Sequence, residues 1–386
     1  MEVKHKMNFD ETKEHKMIRE EVKNFAQTVI APIAEEIDAT GVFPLKVVEQ
    51  MGELGFIGIP FPEKYGGTGG DWVGMHICVE ELCRADLSVG GIMDGSTALV
   101  GQELYVFGTE KQKQQWLPQI LQGKCMVGFA LTESQGGSDA AAIETTAELD
   151  GNQWVLNGTK QFISNIGMEN TSICLVAAVS GKKERGGNII STFIVPQNTP
   201  GFIVGKKYKK IGMNSTPTCE LTLNDCKIPK ENLLGDPKKG LAQHLAVLET
   251  GRITAAAMCV GLAQACLDES SSYAKKRVQF GHPIFNYQAI QFKIVDMAIA
   301  IELSRNAYLK AAWLKDQGRR HTFEATVAKI YASEMAERVA SDAVQIHGGS
   351  GFMQETPVSR YFRAVKCMQI LEGTSEILRM LLSRFV

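Results

Sequence analysis

From Gly240 onward the chain carries one signal: apolar residues recurring every three to four positions. They do so through four stretches, near 240–276, 287–317, 322–347 and 373–385, with Gly- or Pro-bearing breaks between them. Four such helices in succession argue a bundle, and the rest of the chain must be arranged around it.

The first third is helical as well. The stretch 11–33 places Ile18, Val22, Phe25, Ala26, Val29 and Ile30 on one face, and residues 72–85 and 91–105 repeat the helical period. Phe43-Pro44 and Pro60-Phe61-Pro62 interrupt it, residues 65–70 read as a loop, and Gly123 closes the segment. The texture then changes to strand-like runs at 153–156, 173–179, 189–195 and 219–223. In the last of these Cys219, Leu221 and Leu223 alternate with Glu220, Thr222 and Asn224, the period of a half-buried antiparallel strand. Asn157-Gly158 is a hairpin-turn signal. The expected fold is therefore α+β, mainly α: a helical domain over 1–125, a small β-sheet domain over 126–235, and a four-helix bundle over 236–386.

At 386 residues the chain is long enough for two or three domains. A formal net charge of −2 gives no reason to expect nucleic acid or an anionic membrane as a partner. The basic run 206–210 reads as a solvated edge. Nine cysteines without CxxC spacing suit buried thiols in a reducing compartment rather than disulfides or a metal site. Residues 1–6 lack the apolar core of a signal peptide, and no 18-residue apolar run stands out, so a cytoplasmic location without a membrane span is expected.

Chemistry concentrates in a few strings. Leu371-Glu372-Gly373-Thr374 puts a carboxylate beside bare backbone N–H groups at a helix start, although Glu372 could equally be an ordinary first-turn acid. The string 129–139 ends in Gly136-Gly137-Ser138-Asp139, which exposes N–H groups and hydroxyls to a ligand, or forms a plain turn. Residues 160–165 follow the Asn-Gly signal. The string 277–284 starts with Arg277, which also suits a helix C-cap. Residues 345–352 include Gly348-Gly349. Neither a GxGxxG nor a Walker motif is present, so an ordinary dinucleotide site is not expected.

In this order and at these separations, the strings 129–139, 157–165, 277–284, 345–352 and 371–379 resemble the acyl-CoA dehydrogenase family, and the likeness runs from Met7-Asn8-Phe9 to Arg384. The resemblance implies a flavoprotein whose FAD lies between β-domain and bundle, usually in a homotetramer built as a dimer of dimers. It implies that Phe129, Leu131, Thr132, Phe162 and Ser164 flank the flavin, and that Arg277, Phe280, Gln288, Gln345 and Gly349 reach FAD of a neighbouring subunit. Thr374 and Glu376 would meet the cofactor from the Glu-Gly-Thr turn. Ser138, close to the cofactor as well, and Arg252 would touch the CoA moiety, and Leu371 and Gly373 would border the acyl group.

The family's chemistry removes a thioester α-proton with a base while a β-hydride passes to the flavin. Glu372 matches the base, and its own N–H matches a donor to the enolate oxygen. Some relatives carry the base just before the position of Arg252, which here is Gly251, without a side chain. Leu371 stands where the family more often has Tyr. Asp94, in the otherwise apolar or small string 90–96, is unexpected: it is a packed, hydrogen-bonded acid or a second base, as in relatives that oxidise alicyclic thioesters. The implied partners are an acyl-CoA and an electron-transferring flavoprotein. The reverse reduction and an acyl-CoA oxidase are the competing activities, the compact C-terminus speaking against the oxidase.

Overall fold

The computed structural model describes residues 10–184 and 186–386. The Met7-Asn8-Phe9 string and residues 1–6 lie outside the described residues. Helix α1 (Lys13–Phe25) starts where the Thr12 hydroxyl accepts from the His15 N–H at 3.1 Å. It does not run on to Ile33 as one helix. A π turn (Ala26–Ile30) and a 3-10 turn (Ala31–Ile33) follow, because Pro32 has no N–H to donate to the preceding turn. Helices α2 (Ala34–Thr40) and α3 (Leu45–Glu53) precede α4 (Trp72–Ala85), which has the bounds expected from its period.

The stretch expected as a helix over 91–105 is three pieces. A short helix α5 (Leu87–Gly90) leads to a π-helical run, Asp94–Gly101, and then to α6 (Gln102–Phe107). The wider π turn draws the Ser96 carbonyl inward, and a Cβ at Gly101 would lie 2.4 Å from it. Asp94 stands at the start of this run, and π segments of this kind often mark functional sites. Helix α7 (Glu110–Leu121) completes the domain behind a capping box from Thr109 and Gln112.

One mixed sheet holds β1 (Met126–Ala130), β2 (Thr146–Asp150), β3 (Gln153–Ser164), β4 (Thr171–Lys182), β5 (Asn188–Pro196), β6 (Phe202–Lys207), β7 (Thr218–Pro229) and β8 (Leu233–Leu234). The order is β6-β7-β3-β2-β4-β5-β8, with β1 paired in parallel to β4. Cys219, Leu221 and Leu223 face the sheet core, as their alternation requires. The turn expected at Asn157-Gly158 is not there: both residues lie inside β3. Gly158, at φ 151°, is glycine because a Cβ would fall 2.4 Å from Thr145 Oγ1. The β2–β3 hairpin turns at Gly151, at φ 58°.

Strands β1 and β2 use the same edge of β4, end to end. Ala130 pairs with Val176 and Thr146 with Val179. So little of β4 separates those partners that residues 131–145 cannot stay in the sheet. The Gly-Gly-Ser-Asp loop is thereby forced outward.

Helix α8 (Gly240–Lys276) is the axis of the molecule, 37 residues and about 55 Å long. It packs against α4 on one side and against α9 (Gln288–Asp316) and α10 (Thr322–His347) on the other. A small hairpin, β9 (Val278–Gln279) and β10 (His282–Pro283), joins α8 to α9. The crossing with α4 is tight enough that a Cβ at Gly261 would sit 2.1 Å from the Glu80 carbonyl. Contrary to the expectation from sequence, α8 is long and apolar enough to span a bilayer by composition, but 78% of its most apolar window is buried inside the fold. An unexpected helix, α11 (Pro357–Val365), opens on Pro357, a residue suited to the first turn. The final helix, α12 (Ser375–Leu382), is shorter than the expected 373–385 and begins two residues later.

Candidate active site

Glu372 is not a first-turn residue. It lies two residues before Thr374, the N-cap of α12, whose hydroxyl accepts from the Ile377 N–H at 3.2 Å. Glu372 itself has φ 59° and Gly373 φ 97°, two successive left-handed residues that turn the chain sharply. A non-glycine residue held there is strained, and such strain collects at functional sites. The turn carries the Glu372 carboxyl over Gly251 of α8. A Cβ built at Gly251 would meet Glu372 Oε2 at 2.4 Å, Cδ at 2.6 Å and Oε1 at 2.8 Å. The side chain missing from position 251 is replaced in space by the carboxyl of Glu372.

Four titratable groups converge here from four elements: Asp94, Arg252 of α8, Lys329 of α10 and Glu372. Asp94 and Glu372 face each other. Each keeps part of its surface accessible, yet Asp94 Oδ1 and Glu372 Oε2 are sealed from solvent. Burial pushes the Asp94 carboxyl well above its ordinary range, and the neighbouring Glu372 charge pushes it further. Burial raises Glu372 to about 7, while Arg252, Lys329 and a hydrogen bond from Asp94 hold it from going higher. The two carboxyl groups therefore titrate as a pair, which retains one proton above about pH 7. Burial also lowers the Arg252 guanidinium, against the opposing charges of Glu372 and Glu249. Its Nε has no hydrogen-bond partner among the described residues. Leu371 and Gly373 flank Glu372 in the turn.

The second group of expected site residues follows β1. Phe129 lies in β1 with its ring 4.5 Å from that of His244. Leu131 accepts from Lys160 Nζ at 3.3 Å, and the Thr132 carbonyl accepts from the Gln161 N–H at 2.9 Å. Ser138 is exposed on the ejected loop, and Ser164 is exposed at the end of β3. Phe162 sits in a bulge of β3 at φ 61°, 59% exposed, its ring 5.1 Å from Tyr208.

Sequence reasoning missed what holds this loop. Lys160 Nζ pairs with Glu133 Oε1 at 2.7 Å, both side chains buried. Glu133 also accepts from the Thr145 hydroxyl at 2.6 Å and from the N–H groups of Glu144 and Thr145. Burial alone would raise its carboxyl, but the Lys160 charge and these donors bring it down to about 2. Asn165, at φ 63°, was missed as well. Its Oδ1 is buried without a partner among the described residues, and its amide nitrogen lies beside Gly95.

A third group lies elsewhere. Arg277 is the exposed C-cap of α8, Phe280 is 92% exposed at φ 54°, and Gln288, Gln345 and Gly349 are exposed. Tyr273 stacks on His347 with ring centroids 4.3 Å apart, which joins the ends of α8 and α10. These five residues therefore share one corner, separate from the Glu372 cluster of the same chain. Glu376 is exposed on α12.

Two facing carboxyl groups with raised pKa values, set where a helical domain, a mixed sheet and a bundle meet, form a sheltered site suited to moving a proton. Residues 12–124, 128–226 and 238–386 match the family models for the acyl-CoA dehydrogenase N-terminal, middle and C-terminal domains. The chain belongs to the acyl-CoA dehydrogenase family, FAD-dependent oxidoreductases that act on acyl-CoA thioesters. It is 50% identical over 378 residues to the probable acyl-CoA dehydrogenase YngJ of Bacillus subtilis, covering 98% of this chain and 99% of that one. It superposes on the butyryl-CoA dehydrogenase of Megasphaera elsdenii with a TM-score of 0.95 at 38% identity, covering 98% of this chain and 99% of that one. A chain from a structure of the electron transferring flavoprotein of Acidaminococcus fermentans matches with a TM-score of 0.95 at 41% identity, again covering 98% and 99%.

Proposed function

We propose that Glu372 removes the α-proton of an acyl-CoA thioester, giving the 2-enoyl-CoA. The observation that carries this reading is the Glu372 carboxyl over Gly251, its Oε2 sealed from solvent and its pKa raised to about 7. A carboxyl so raised is about half ionised at neutral pH and basic enough to take a proton from carbon. Its backbone N–H, presented by the left-handed turn, is the donor we assign to the enolate oxygen. Arg252, buried beside the base, is assigned to the CoA moiety, together with Ser138.

The residues present fit FAD. The loop 131–145 stands out of the sheet with Ser134 and Ser138 exposed, Phe162 offers an exposed ring, and Asn165 Oδ1 is buried without a partner among the described residues. Phe129, Leu131, Thr132, Phe162, Ser164, Thr374 and Glu376 are assigned to holding it. When bound, FAD supplies the acceptor for the hydride that leaves the β carbon.

The exposed corner of Arg277, Phe280, Gln288, Gln345 and Gly349 supports a cofactor site completed by a second copy, in a homotetramer. Apolar residues on α9, Phe292, Val295, Ile299 and Leu303, form an exposed stripe that suits such an assembly. The likeness to the Acidaminococcus chain supports an electron-transferring flavoprotein as redox partner, in either direction of the reaction. Nine free thiols suit a reducing, cytoplasmic setting.

Asp94 favours a second substrate class. In that reading Asp94 is a base toward an alicyclic acyl-CoA, a role it takes only once it has given up its proton. Glu372→Gln tests the main reading. It should retain FAD and thioester binding, lose at least about 10²-fold in flavin bleaching under substrate, and abolish the rise of rate through about pH 7. Near-wild-type bleaching by this variant would reject Glu372 as base.

A further inference from the structure

Lys329 lies in the middle of α10, fully buried, among Ala325, Ala328, Ala332 and Ala336 of its own helix. Its ammonium donates to the Gly373 carbonyl at 2.7 Å, its one hydrogen-bond acceptor among the described residues. An ammonium has three donors, so one backbone oxygen leaves it far from satisfied. A cation that served only to brace a loop would be a costly choice in such surroundings, where an apolar side chain would fill the space. The carbonyl it holds belongs to the strained turn that aims Glu372.

We propose that Lys329 is a positioning residue for the proton-abstracting step, fixing the Glu372–Gly373 turn by its bond to the Gly373 carbonyl and favouring the ionised base by its charge. The proposal rests on Glu372 being the base. The groups facing Lys329 are Cys259 and Arg252 of α8, Glu372, and Cys367 below the turn. The groups facing Glu372 are Arg252, Lys329 and Asp94. Arg252 is thus the other cation in the cluster among the described residues. Burial pulls the Lys329 ammonium down to about 8, so its charge and the ionised form of Glu372 coexist in a window around pH 7 to 8.

Two substitutions separate the two roles. Lys329→Gln keeps a donor near the Gly373 carbonyl and removes the charge, whereas Lys329→Met removes both. The measurement is stopped-flow flavin bleaching from pH 5.5 to 9, using the acyl-CoA that bleaches the wild-type holoenzyme fastest. FAD content, melting temperature and affinity for an unreactive thioether analogue are taken on the same preparations. Both variants should move the acid limb of the rate profile upward by about one pH unit. Lys329→Met should also lose roughly tenfold or more at its plateau, since the turn is no longer pinned. Analogue affinity and FAD content should stay near wild type. If Lys329→Met does not fold, Lys329→Gln alone decides. An acid limb that stays in place in Lys329→Gln overturns the proposal, whatever happens to the melting temperature. Should Glu372→Gln keep its activity, the base assignment fails instead, so the two failures are distinct.

Discussion

Gly251→Ala should separate activity from stability. The added methyl would start 2.4 Å from Glu372 Oε2 and 2.6 Å from Cδ. Ordinary contacts begin near about 3.5 Å, so the carboxyl must retreat by roughly 1 Å. A displacement of about 1 Å in a reacting group costs on the order of 10²-fold in rate, or about 2.7 kcal/mol in the barrier. The fold should not suffer. The atoms in the way are the far end of a flexible side chain, and Ala gains about 1 kcal/mol over Gly within a helix. The assay is anaerobic flavin bleaching under saturating acyl-CoA, beside thermal unfolding of the same holoenzyme. A melting temperature equal to or above wild type with bleaching slowed about 10²-fold is the expected result. Bleaching within about threefold of wild type would refute the reasoning, because the carboxyl would then not depend on the empty space above Gly251.

Other perturbations test other parts of the site. Asp94→Asn preserves volume and a donor to Glu372, so simple 1,2-dehydrogenation should survive while turnover of ring-bearing thioesters falls; an unchanged substrate panel would leave Asp94 a packing residue. Glu133→Gln strands the buried Lys160 charge and should cost about 3–5 kcal/mol in unfolding free energy, with FAD released more readily. Denaturant titration with flavin fluorescence reads both. Arg277→Ala should weaken FAD retention and make it depend on protein concentration, measured by size-exclusion chromatography with absorbance at the flavin band. A fully flavinylated monomer at micromolar concentration would count against a shared site. With Glu372 raised to about 7 from an unfolded value near 4.5, its folded form holds the proton longer. Its contribution to stability is therefore full below about pH 4.5 and lost as pH rises towards 7, a slope that Glu372→Gln should remove.

Long periodic segments were legible. The bounds of α4, α8 and α10 follow from the hydrophobic period, because each helix buries one or more whole faces. Local signals failed where a distant residue decided the conformation. Asn157-Gly158 has turn chemistry, but its glycine answers to Thr145 crossing the strand. The π turns around Ala26 and Asp94 leave no mark in the apolar pattern, although Pro32 and Gly101 hint at each. Glu372 was legible from its Gly-Thr sequel and Gly251 from its place before Arg252. Their contact was not, since 121 positions separate them in the chain and only the fold superimposes them. Lys329 and the Glu133–Lys160 pair were invisible for the same reason. A lysine in a helical period reads as a solvated face until its neighbours are known.

The exclusion between a side chain at position 251 and the carboxyl of Glu372 has a historical consequence. The resemblance implies that some relatives carry the base on the long helix instead. A lineage cannot drift between the two arrangements one substitution at a time without loss. Acquiring a glutamate at 251 first sets two carboxyls in one space, and, with Glu372 read as the base, removing it first leaves the α carbon without one. Each single step is harmful and only the pair is tolerated, a strongly non-additive combination. The location of the base should therefore behave as a frozen character, a marker of descent more durable than the residues that shape the acyl pocket.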